Sequence, residues 1–158
     1  MRNTIRTIIW ALIVLILFIL AASVVNGQKA RPANATVAAT QQPLFSEYKG
    51  IRLGMTTEQV RAKLGEPTSK RDDQDYYVFS DTESAQFVYD ATLKAVTISV
   101  DYTGGEVPDY RNVVGPSIDQ MTDGALYKLV RYEAQGFWVS YNRTAGTPPI
   151  VTITIQKI

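Results

Sequence analysis

Three regimes of hydrophobic patterning succeed one another along the chain. From residue 8 to residue 25 the side chains are apolar or small and none is charged, so a helix made of them has no polar face. From 26 to 42 no periodicity survives, and Gly, Gln, Ala, Asn, Thr and Pro dominate. From residue 76 onward apolar side chains recur at every second position, the period of a strand with one buried face. This alternation predicts strands at 76–79, 85–89, 95–102, 125–132, 137–141 and 150–155. The third is the cleanest: Val96, Ile98, Val100 and Tyr102 fall on one face, Thr97, Ser99 and Asp101 on the other. Residues 80–83, Ser-Asp-Thr-Glu, form a natural hairpin loop between the first two strands.

A short helix precedes the strands, and both of its ends are written in the sequence. Thr56 is a good N-cap, Gln59 completes a capping box, and Met55 and Val60 occupy the two positions of a hydrophobic staple. Glu58 suits the positive end of the helix dipole, and Arg61 and Lys63 suit the negative end. Gly65 permits a left-handed closure and Pro67 forbids continuation. A two-turn helix with Val60 and Leu64 as its apolar face cannot stand alone, so it is expected to cover the dry side of the sheet.

The run Ile51-Arg52-Leu53-Gly54-Met55-Thr56, followed by Glu58, Val60, Leu64-Gly65 and Pro67, resembles the opening helix of the SmpA/OmlA (BamE) family. These are small bacterial envelope domains that share the fold of the β-lactamase inhibitor protein. The resemblance implies an exported α+β domain, a short N-terminal helix packed on antiparallel sheet, that acts by binding protein in the envelope. Its best-known members are accessory subunits of outer-membrane protein assembly and are acylated on a cysteine. This chain has no cysteine, which separates it from that mode of anchoring.

Residues 1–27 are expected to be a signal peptide or an N-terminal transmembrane anchor. The apolar run would span roughly 27 Å as a helix, close to a bilayer core. Arg2 and Arg6 precede it, Trp10 suits an interfacial position, and Val25-Asn26-Gly27 offers a small-residue cleavage site. The domain would then be anchored in the inner membrane facing the periplasm, or be periplasmic or secreted if the segment is removed. Residues 28–45 read as a flexible linker and 46–158 as the domain. Within it, Val151-Thr152-Ile153-Thr154-Ile155 echoes Val96-Thr97-Ile98-Ser99-Val100, and Tyr141 stands where Tyr89 stood. Two readings stay open: a diverged tandem repeat with units at 48–102 and 110–158, or the ordinary likeness of alternating strands. Residues 110–116 keep only a Gly-Pro ending where the second helix would be.

Composition narrows the chemistry. The net charge of +1 over 158 residues, with no long basic run, gives no nucleic-acid surface. The absence of both His and Cys removes the usual general base, the thiol nucleophile and the commonest metal ligand. Residues 69–75, with three carboxylates, lack the ligand spacing and glycine of a calcium loop and read as a solvated loop. No catalytic residue, metal or cofactor is expected. The expectation is a non-enzymatic cell-envelope protein, a protein-binding module accessory to outer-membrane assembly or envelope integrity. The alternative is an inhibitor or small-ligand binder that uses the open sheet face. Candidate contacts are Trp138, Tyr76, Lys70, Arg71 and Asp73. Trp138 lies opposite Phe137, Val139 and Tyr141 in strand parity, and is either an exposed anchor or packed beneath a neighbouring segment.

Overall fold

The computed structural model describes residues 42–158. The expected signal or anchor segment and most of the linker lie outside the described residues. Among those described, no helix is long and apolar enough to cross a membrane.

Helix α1 (Thr57–Leu64) is built as its caps dictate. The Thr56 hydroxyl accepts from the Gln59 amide at 3.3 Å, and the Gln59 side chain accepts from the Thr56 amide at 2.9 Å. Gly65 ends it with φ +84°, a conformation open to glycine and strained for other residues. Strands β1 (Ser69–Lys70), β2 (Gln74–Ser80), β3 (Glu83–Tyr89) and β4 (Ala95–Tyr102) follow. A one-turn helix α2 (Arg111–Val114) comes next, then β5 (Asp119–Gln120), β6 (Leu126–Tyr132), β7 (Phe137–Arg143) and β8 (Val151–Lys157).

All eight strands join one antiparallel sheet in the order β1-β2-β3-β4-β8-β7-β6-β5. This overturns the expected α+β class. Among the described residues the architecture is sheet-dominated, an open eight-stranded sheet with α-helices of only eight and four residues. The physical reason lies at β4. Its free edge takes β8 as a neighbour, so the second half of the chain widens the sheet instead of building a second layer. A helix of two turns is too small to make a layer of its own.

The two halves repeat one order of elements: helix, two-residue strand, three-stranded meander. Each helix ends on a glycine with nearly the same backbone, Gly65 at φ +84° and ψ −166°, Gly115 at φ +87° and ψ −173°. The halves meet at Ser99 and Thr154, which are register partners with hydroxyls 3.2 Å apart. One detail of the sequence comparison changes. Tyr141 faces Ile153 as Phe87 faces Ile98, so Tyr141 is the counterpart of Phe87, whereas Tyr89 lies beyond a register shift opposite Ala95. Both edge strands are two residues long, which leaves little free edge for another chain to extend.

One face of the sheet is dry. Phe87, Ile98, Ile155 and Val139 form a row across four strands, each at most 1% exposed. They belong to one hydrophobic cluster with Val60 of α1, Val113 and Val114 of α2, and Tyr48 and Ile51 of the approach to α1. Fully burying side chains of this size contributes about 1.5–3 kcal/mol each, so this cluster is where the fold's stability resides.

Candidate functional site

The opposite face of the sheet is the candidate site, and strand parity builds it. Residues opposed across an antiparallel pair point to the same side. One row therefore runs Tyr76, Gln86, Ser99, Thr154, Ser140, Leu129 across β2, β3, β4, β8, β7 and β6. A second runs Gln74, Val88, Thr97, Gln156, Trp138, Arg131 across the same strands. Of the described residues on this face of the six long strands, Ser140 alone is buried. The others are half-buried or exposed, as expected of a face on which nothing is packed.

The chemistry of this face is hydroxyl and amide. Gln86 donates to Gln74 at 2.8 Å, and the Thr152 hydroxyl donates to Asp101 at 2.6 Å. On the six long strands Asp101 and Arg131 are the only charged side chains of this face among the described residues, with Asp119 of β5 exposed at its edge opposite Tyr127, and Arg131 is paired with Glu133 at 2.9 Å. Trp138, Tyr76 and Tyr127 supply aromatic surface among these groups. Protein-recognition surfaces are depleted in charge at their centres and enriched in Tyr, Trp and Arg. The uncharged Ser, Thr and Gln positions supply adaptable hydrogen bonding.

The tyrosines with raised pKa values are elsewhere, on or beside the covered side. Burial pushes Tyr77 and Tyr102 up to about 12. It also raises Tyr48, Tyr89 and Tyr141, and hydrogen bonds to Glu83 and Asp75 add to the rise at Tyr48 and Tyr89. These groups are structural. Among the described residues, no cluster of acidic side chains is arranged to hold a metal ion.

The five residues singled out from sequence do not form one site. Tyr76 and Trp138 share the open face and both are half-buried. Four inter-strand steps separate them, about 20 Å. Lys70 and Arg71 line a shallow cleft beside α1 with Thr57 and Glu58, while Asp73 is exposed at the β1–β2 turn. The expected solvated loop at 69–75 is corrected at both ends, since Ser69–Lys70 form β1 and Gln74 already belongs to β2. Asp75 lies within β2 and is fully buried, because Arg61 and Tyr89 converge on it. Sequence reasoning missed Gln86, Gln156, Tyr127 and Arg131. The alternation that places them was legible, but the strand order that lays them beside Tyr76 and Trp138 was not.

No known family, curated protein or solved structure matches this chain.

Proposed function

We propose that this domain is a non-enzymatic protein-binding module that presents the open face of its sheet to a folded partner of the bacterial cell envelope. The observation that carries the reading is that face itself. Across six long strands it carries only Asp101 and Arg131 as charges, with Asp119 at its β5 edge, and it sets Trp138 half-exposed among hydroxyl and amide groups. A partner surface low in charge, with its own hydrogen-bonding groups, is the complement. The resemblance of residues 51–67 to the SmpA/OmlA (BamE) family supports an envelope setting, and the apolar run at 8–25 supports export. Participation in outer-membrane assembly or envelope integrity follows from that resemblance.

The test places a photo-crosslinking amino acid at Thr154, at the centre of the open face, in the full chain in intact cells. A matched probe at Lys63, exposed on α1, serves as the control. A single stoichiometric envelope protein captured from Thr154 and not from Lys63 is the expected result. Equal labelling from both positions would remove the open face as the binding surface. Capture of an exported enzyme whose activity falls would favour the inhibitor reading.

A further inference from the structure

A cavity of about 550 Å³ lies at one end of the sheet, where β4, β7 and β8 meet the loop at 52–54. This volume falls in the range of sites that hold one small ligand. Its apolar wall is made by Leu53, Val96, Phe137 and Ile155. Phe137 and Ile155 belong to the covered side of the sheet, so the cavity is independent of the face proposed above to bind protein.

Charge at the rim is predominantly positive, with Arg52, Lys94 and Lys157 against Asp90. Lys94 and Lys157 both line the cavity and are exposed, and neither forms an ion pair among the described residues. The single side-chain carboxylate in the lining, Asp90, is held below its ordinary pKa by hydrogen bonds within its own turn and, to a smaller extent, by the charge of Lys157. Its Oδ1 accepts from the Thr92 amide at 2.8 Å, the Thr92 hydroxyl at 2.7 Å and the Lys94 amide at 3.2 Å. Arg52 also lines the cavity, but Glu47 accepts from its Nε at 2.6 Å. The guanidinium fork that would favour a phosphate is therefore taken, and two exposed ammonium groups remain in a lining with an apolar wall.

We propose that this cavity binds a free long-chain carboxylate, its acyl chain against Leu53, Val96, Phe137 and Ile155 and its carboxylate between Lys94 and Lys157. One acyl chain suits a site of this volume, and one carboxylate uses both ammonium groups. Burial of methylenes supplies the affinity. The lysines select for the anion.

The experiment uses the full chain in nanodiscs of phosphatidylcholine and a diazirine-bearing dodecanoate, with labelled peptides identified by mass spectrometry. The expected result is saturable labelling at the cavity residues, competed by dodecanoate and not by dodecanol. Replacing both lysines, Lys94→Gln with Lys157→Gln, should weaken that labelling about tenfold. Both side chains are exposed, and unchanged thermal unfolding of the double variant confirms that the fold is kept. Equal competition by dodecanol, unsaturable labelling, or labelling unaffected by the double replacement would overturn the proposal. So would stronger competition by phosphatidylglycerol, which would assign the site to a membrane lipid headgroup. Loss of crosslinking from Thr154 would leave this result untouched, because the two sites lie on different sides of the sheet.

Discussion

Arg61 grips Asp75 with two prongs, Nε donating to Oδ2 at 2.9 Å and Nη2 to Oδ1 at 2.8 Å. The Tyr89 hydroxyl donates to the same Oδ2 at 2.9 Å, so a carboxylate with no solvent exposure has three donors. The hydrogen bond to Asp75 holds the Arg61 guanidinium above its ordinary pKa. This cluster ties α1 to β2 and β3. The second half has no equivalent. Lys128 faces Tyr141 as Asp75 faces Phe87, and its ammonium donates instead to the Ser117 carbonyl and hydroxyl, each at 2.8 Å.

Removing one member should therefore be severe. Asp75→Ala leaves the guanidinium and the Tyr89 hydroxyl unpaired, and a loss of about 3–5 kcal/mol is expected in urea unfolding. The double replacement Arg61→Met with Asp75→Leu should recover most of that loss, since apolar pairs of similar volume substitute well for buried ion pairs. A double variant as unstable as Asp75→Ala would refute this account of the cluster.

Stability should fall at alkaline pH. Tyr77 and Tyr102 are raised to about 12 by burial, and Tyr48, Tyr89 and Tyr141 are raised as well. In the unfolded chain these phenols ionise near 10, so between about pH 10 and pH 12 the unfolded state binds fewer protons than the folded state. The stabilisation is complete below pH 10 and is lost as pH rises through the folded values. Each such tyrosine contributes a slope of up to about 1.4 kcal/mol per pH unit. Denaturant midpoints from pH 9 to pH 12 would check it, and a flat profile would contradict it.

Leu93 is held at φ +59°, a left-handed conformation uncommon for leucine, and its side chain is 46% exposed. Its carbonyl accepts the Thr57 amide at 3.0 Å, so the β3–β4 turn helps cap α1 at the expense of local strain. Asparagine tolerates this region better than leucine does. Leu93→Asn should raise stability by about 0.5–1 kcal/mol, read as an increase in Tm of a few degrees. A decrease would mean that the leucine side chain contributes packing that outweighs the strain.

Binding and stability should separate on the two faces of the sheet. Trp138→Ala should abolish partner capture through the open face while lowering stability by about 1 kcal/mol, as the side chain is only half-buried. Phe87→Ala, at 0% exposure in the dry row, should cost about 3–5 kcal/mol. Retention of the partner by Trp138→Ala would remove this residue as the anchor.

Local chemistry was legible in the residues themselves. The capping box at Thr56 and Gln59, the stop at Gly65 and the six long strands all follow from interactions within a few positions of each other, and each of the six begins and ends within two residues of where the alternation put it. The parity that turns Trp138 away from Val139 and Tyr141 is likewise a property of one strand. Strand order is different. The pairing of β4 with β8 joins residues about fifty to sixty positions apart, and only the folded chain decides it, because neither strand carries a mark of its partner. That pairing replaced an α+β layering with one wide sheet, set Tyr76 and Trp138 on a common face about 20 Å apart, and brought Lys94 and Lys157 into the lining of one cavity. Asp75 shows the same limit in a single residue. In the sequence it ends a polar run, and only the approach of Arg61 and Tyr89 makes its burial tolerable.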